Sequence, residues 1–191
     1  MFELLLILAV AAILIGYIAV FNGLGRAVTQ VVQGWAGVEV QLKRRHDLVP
    51  GLVSAVRAAQ KHEVDVFDRL LSARAQAMAA IASADRQQIA TAEAALGRSL
   101  GNLVAYAEDN PEVTATANLQ TLQRQLEETE DQIAAARRLY NGNVQNLNAR
   151  IVTFPGNLVA SIHGFRPAQP FEMTGQEKAV TYEAPILKLD T

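Results

Sequence analysis

Apolar residues follow two different patterns along this chain. From Leu4 to Phe21 they are continuous (LLLILAVAAILIGYIAVF) and uninterrupted by charge, whereas beyond Gly25 they recur every third or fourth residue. At about 1.5 Å per residue, the continuous run with its flanks comes close to the roughly 30 Å of a bilayer's hydrocarbon core. It predicts one transmembrane helix, with residues 1–25 as the anchor. A cleavable secretory signal would need a basic start, a shorter apolar core and a small-residue cleavage site after it. The start here carries Glu3 and no Lys or Arg, and Ala9 to Ala11 lie inside the run. Orientation follows from the basic residues that flank a span. None precedes it, while Arg26, Lys43, Arg44 and Arg45 follow, so a short N-terminus outside and a cytoplasmic body are expected. The same basic triplet also reads as a solvated helix face.

The periodic part predicts helices. Val28, Val31, Trp35, Val38 and Leu42 form one stripe, so the anchor is expected to run on into a helix, with Gly23, Gly25, Gly34 and Gly37 as places to bend or to pack closely. At Asp47-Leu48-Val49-Pro50 two outcomes are open: a new helix capped by Asp47, or a kink in one long helix. The period resumes through Val49, Leu52, Val53, Val56, Phe67, Leu70, Leu71, Met78 and Ile81. Asp85 with Gln88 then resembles a capping box opening a helix with the stripe Ile89, Ala92, Leu96, Leu100, Leu103, Val104 and Ala107. Asn110-Pro111 ends it. The clearest helix runs from Leu119 through Leu126, Ile133, Tyr140 and Leu147 to Ile151, where Phe154-Pro155 stops it. A helix of that length needs partners of similar length. The expected fold is therefore all-α: a single N-terminal transmembrane helix, then an elongated antiparallel bundle of three to four long helices over 26–165. Residues 166–191 are expected to be a tail, either extended or paired as short strands at Ala179 to Tyr182 and Ile186 to Leu189.

Composition narrows the function. With 191 residues, one domain beyond the anchor is the default. A net charge of −2 argues against nucleic acid as the main partner, which would call for a concentrated cationic surface. The absence of cysteine removes disulfides, thiol nucleophiles and cysteine-based metal sites.

Trp35, the block Gln41-Leu42-Lys43-Arg44-Arg45-His46-Asp47-Leu48-Val49-Pro50 with Leu52-Val53, then His62-Glu63 and Ala73-Arg74-Ala75, together resemble the LemA family. So do Glu108 with Pro111, Leu122, Leu126-Glu127, Glu130, Ile133, Ala136-Arg137-Arg138, Tyr140-Asn141, and Phe154-Pro155 with Asn157. The chain departs from the family pattern at Glu39, Asn110 and Leu147. The resemblance implies a membrane-anchored helical bundle with a short outer N-terminus and no established enzymatic activity. One branch of the family takes part in magnetosome formation.

Candidate chemistry is sparse. His62-Glu63 fails as a zinc-protease motif because position 66 is Val where a second His is required. His46, His62 and His163 have no ligand spacing. Glu127, Glu128, Glu130 and Asp131 lack the inward Glu-x-x-His pairs of a di-metal bundle site, and Arg124 and Arg137 lie within helical reach. A solvated face is the expected reading. No phosphate-binding glycine loop and no Ser-His-Asp arrangement can be read, and no cofactor or metal is implied.

Arg44, Arg45, Asp47, Arg137, Arg138 and Tyr140 form the polar part of the family-like blocks. They are candidates either for a partner-binding patch or for an internal ion-pair network that sets helix register.

The expectation is a non-enzymatic membrane-anchored scaffold of a bacterial inner membrane that organises copies of itself or partner membrane proteins. The alternative is an accessory or sensory subunit of an envelope protease or phosphatase system. Small residues along the anchor and first helix (Gly16, Ala19, Gly23, Gly25, Gly34, Ala36, Gly37) predict a homo-oligomer with cyclic symmetry.

Overall fold

The computed structural model describes residues 1–59, 64–83, 85–110 and 116–172. His62, Glu63, Pro111 and the two strands anticipated in the tail lie outside the described residues. Within them the chain is all-α, in five helices: α1 (Phe2–Ala59), α2 (Val64–Ser83), α3 (Arg86–Glu108), α4 (Ala117–Val152) and α5 (Gly156–His163).

The anchor and the first body helix are one element. α1 runs for 58 residues with Pro50 inside it, so Asp47 opens no new helix and is exposed on the helix flank. Its first part is long and apolar enough to cross a membrane, and the most apolar stretch has no residue buried within the structure. Beyond Phe21 the stripe turns inward: Leu24, Ala27, Val31, Trp35, Val38 and Leu42 are buried.

Two compact units are distinguished. The first comprises Met1–Leu42 with Glu130–Pro170. In it α1 from Gly23 to Trp35 packs antiparallel on the end of α4. Arg150 lies beside Gly23, Asn143 Nδ2 donates to the Gln30 carbonyl at 2.9 Å, and Tyr140 stacks edge-on against Trp35 at 5.4 Å. Numbering rises along one helix as it falls along the other. α4 ends at Val152, just before Phe154-Pro155 as expected, but the chain then forms α5, which the apolar period did not reveal. α5 stops at Gly164, whose φ of 70° is the left-handed conformation that glycine adopts without strain. Proline and irregular chain follow, held to α4 by Asn148, whose side-chain amide both donates to and accepts from the Ala168 backbone at 2.9 Å.

The second unit is built on Lys43–Thr129. Its core is Val49, Leu52, Val53 and Val56 of α1, Phe67, Leu70 and Ala77 of α2, Leu96, Leu100 and Leu103 of α3, and Leu119 and Leu126 of α4. α2 and α3 pack directly on each other. Asp85 caps α3 by accepting from the Gln87 and Gln88 amides, as the capping-box reading expected of its first half. Leu71 and Met78, assigned to the buried stripe by spacing, are instead exposed at 36% and 46%. Ala73 and Ala77 take the inward positions, which lets the α2 backbone approach α3 closely.

Candidate functional site

The chemistry of the second unit converges on a glutamate. Glu93 of α3 is fully buried, and so are Arg45 and His46 on α1. One Glu93 oxygen forms an ion pair with the Arg45 guanidinium; the other accepts from His46 Nε2 at 2.7 Å. A carboxylate has only acceptors to offer, so the His46 proton on this side sits on Nε2. Burial pushes the Glu93 pKa up, but the His46 hydrogen bond and the Arg45 charge outweigh it and hold the carboxyl below its ordinary value. The cluster is a sealed, ionised ion pair.

The same cluster explains Pro50. A proline has no N–H, so the carbonyl four residues earlier, that of His46, loses its helical donor. Arg74 of α2 supplies a replacement: its Nε donates to the His46 carbonyl oxygen at 2.8 Å. The Pro50 and Arg74 positions of two separate sequence blocks are thereby one structural device. α1, α2 and α3 are tied together at adjacent residues, Arg45 and His46.

The six candidate residues divide between the units. In the second, Arg45 is buried in the cluster, Arg44 is exposed and lies 3.9 Å from Glu128, and Asp47 is exposed. In the first, Tyr140 is buried and its hydroxyl donates to the Gln169 carbonyl at 2.7 Å, with its ring against Trp35. Arg137 is half-buried and Arg138 exposed. Trp35 in turn donates from Nε1 to Glu39 Oε1 at 2.5 Å.

Sequence reading missed Glu93 and assigned His46 no role. A signal was present: Glu93 stands four residues after Ile89 and three before Leu96, and Arg45 stands three after Leu42 and four before Val49. Each is a charged residue at a position where the helical period calls for an apolar one. The acidic run on α4 is largely solvated, with Glu127, Glu128 and Asp131 exposed. Among the described residues no group of three or more His, Asp or Glu side chains converges as a metal site requires.

Among the described residues one helix is long and apolar enough to cross a membrane, and the comparison with a known family concerns the chain beyond its apolar run. The chain matches the LemA family over residues 34–183, most of its length, and belongs to that family. It is also similar to magnetosome protein MamQ 2 of Paramagnetospirillum magneticum, 33% identical over 81 residues that make up 42% of this chain and 30% of that protein. Magnetosome protein MamQ of Magnetospirillum gryphiswaldense is 30% identical over 80 residues, 42% of this chain and 29% of the relative. The similarity thus spans less than a third of these curated relatives.

Proposed function

We propose that this chain is a non-enzymatic scaffold anchored in a bacterial inner membrane by α1, which assembles with copies of itself and organises partner membrane proteins. The observation that carries the reading is the continuity of α1: the same helix that presents an unburied apolar surface up to Phe21 becomes the buried strut of the body from Leu24 on. An anchor joined by a flexible linker would only tether a domain, whereas a continuous helix transmits orientation to it.

Self-assembly is supported by what α1 leaves uncovered. Val32 and Val40 are exposed at 63% and 62%, Ala36 is exposed between them, and added side-chain atoms at Gly16, Gly25 and Gly37 would meet open space. Gly16 lies in the apolar run, where a small residue allows helices to approach in lipid; Val32, Ala36 and Val40, spaced by four, with Gly37 beside them, form an uncovered face beyond it. Parallel anchors share a direction, so closure by rotation about the membrane normal is the expected symmetry. Arg45, sealed with Glu93, is proposed to fix helix register. Arg44 and Asp47, both exposed in the second unit, are proposed as a patch open to a partner, and Arg138, exposed in the first unit, as a separate polar contact.

A cytoplasmic body follows from the basic residues after the span. Protease treatment of intact spheroplasts tests it: protection of the body supports the assignment, and digestion reverses it. Cross-linking in native membranes tests the scaffold. A ladder of species containing only this protein is expected, while a single heterologous band would favour an accessory role beside one partner enzyme.

A further inference from the structure

Helix α5 has more apolar surface than its own fold uses. Gly156, Val159 and Ala160 face inward and are buried, which already gives an eight-residue helix its core face. Leu158 and Ile162, one turn apart on another side, are exposed at 56% and 70%, and Phe154 and Val152 just before the helix at 79% and 69%. A surface helix needs one apolar stripe; a second requires a second apolar environment.

The position of α5 along α1 identifies that environment. Tyr17 Oη lies 2.5 Å from His163 Nε2, and the Phe21 ring lies 4.7 Å from that of His163 and 5.8 Å from that of Phe165. Arg150 lies beside Gly23, just past the apolar run. α5 therefore begins near the level where the hydrocarbon span ends and reaches about one helical turn into it, since Tyr17 precedes Phe21 by four residues. An apolar cleft of about 320 Å³, lined by Ala19, Val20, Gly23, Phe154 and Gly156, opens at the same level with Arg150 on its rim. Tyrosine with a polar partner is the chemistry of a bilayer interface, and arginine at its edge can reach lipid phosphates. Arg26 and Arg166 are exposed nearby in sequence to Gly23 and Phe165.

We propose that α5 with Phe154 is an interfacial foot: it inserts into the leaflet through which α1 leaves the membrane, with Phe154, Leu158 and Ile162 among the acyl chains and Arg150 at the headgroups. Its occupant is the bilayer itself, because its apolar face continues the lipid-facing surface of the span. The inference rests on the membrane-anchor reading of α1.

The chain contains no cysteine, so single sites can be spin-labelled without background. The full chain carrying Phe154→Cys, Leu158→Cys or Ile162→Cys is reconstituted in phosphatidylcholine and phosphatidylglycerol vesicles, with Leu8→Cys in the span and Leu139→Cys on the exposed side of α4 as references. Collision with oxygen and with a water-soluble nickel chelate is then measured, after circular dichroism has matched each variant to the parent. The expected result is a loss of nickel accessibility and a gain of oxygen accessibility at 154, 158 and 162, approaching Leu8→Cys and opposite to Leu139→Cys. Labels at 158 and 162 that behave like Leu139→Cys while Leu8→Cys is in lipid would overturn the foot and leave the anchor standing. Labels shielded from both reagents would also overturn it, in favour of cover by protein. A nickel-accessible Leu8→Cys would instead remove the anchor reading.

Discussion

Arg74 Nε donates to the carbonyl oxygen of His46, the acceptor that Pro50 leaves without its helical donor. Proline in a helix interior costs about 3 kcal/mol or more, part of it the lost hydrogen bond. An arginine from the next helix recovers that part. It also turns a local defect into a tertiary fastening, because the bond exists only when α2 lies against α1.

This relationship predicts coupling between two distant sequence positions. Arg74→Ala leaves a half-buried carbonyl unsatisfied and should lower stability by about 1–3 kcal/mol. Pro50→Ala restores an N–H in place, so in that background the same Arg74→Ala change should cost less. A double-mutant cycle on the detergent-solubilised chain, followed by circular dichroism in denaturant, measures the difference. Equal costs in both backgrounds would show that Arg74 does not serve the proline.

Glu93 sets a pH dependence. Its folded pKa lies below its ordinary value, so in the window between the two the unfolded chain binds more protons, and stability rises with pH. The contribution is fully present above the ordinary carboxylate value and is lost as pH falls through the folded one. Glu93→Gln should flatten that acid limb. At neutral pH it should also cost about 3–5 kcal/mol, because Arg45 is left buried without its counter-charge. Arg45→Met with Glu93→Leu removes both charges and should recover part of the loss, the remainder being about 1–3 kcal/mol for the buried His46 Nε2–H left without its acceptor. Thermal melts across acidic and neutral pH check both statements.

The long elements were legible because their signal is repeated. α4 repeats its period over about nine turns from Leu119 to Ile151, and the span is one unbroken run, so no single residue decides either. α5 was not legible, because eight residues with apolar groups on two sides have no single face to detect. The continuity of α1 through Pro50 was one of two open readings, since the sequence shows the missing N–H but not the arginine that compensates for it. The buried site was half legible: Arg45 was singled out, whereas Glu93 passed unnoticed because Ala92, its neighbour, fits the apolar stripe almost as well.

Tyr140→Phe isolates one hydrogen bond in the first unit. The ring packing on Trp35 survives the change, while the 2.7 Å bond to the Gln169 carbonyl is lost. Stability should fall by about 1 kcal/mol. Trp35 is the chain's single tryptophan, so its fluorescence reports directly on this contact. An unchanged native emission spectrum with a lowered midpoint is the expected pair of results, and a shifted native spectrum would mean that the hydroxyl also positions the ring.

Gly34 and Gly37 separate packing within the chain from packing between copies. A Cβ added at Gly34 would lie 3.2 Å from the Tyr140 Cα, whereas one at Gly37 would meet nothing within 4 Å. Backbone cannot move aside as a flexible side chain can, so Gly34→Ala should destabilise the chain. Gly37→Ala should stabilise an isolated helix by up to about 1 kcal/mol through helix propensity alone. The larger substitution discriminates further. Gly34→Leu is expected to disrupt the fold whatever the oligomeric state, which makes it uninformative about assembly. Gly37→Leu adds bulk only on the uncovered face, so helicity and melting should hold in a monomer. If copies meet across that face, the substitution should instead shift the detergent-solubilised protein to a smaller mass in sedimentation or native mass measurement. A parent protein that is monomeric in several mild detergents and in nanodiscs, or a Gly37→Leu variant with the parent's mass, would remove this face of α1 from the assembly.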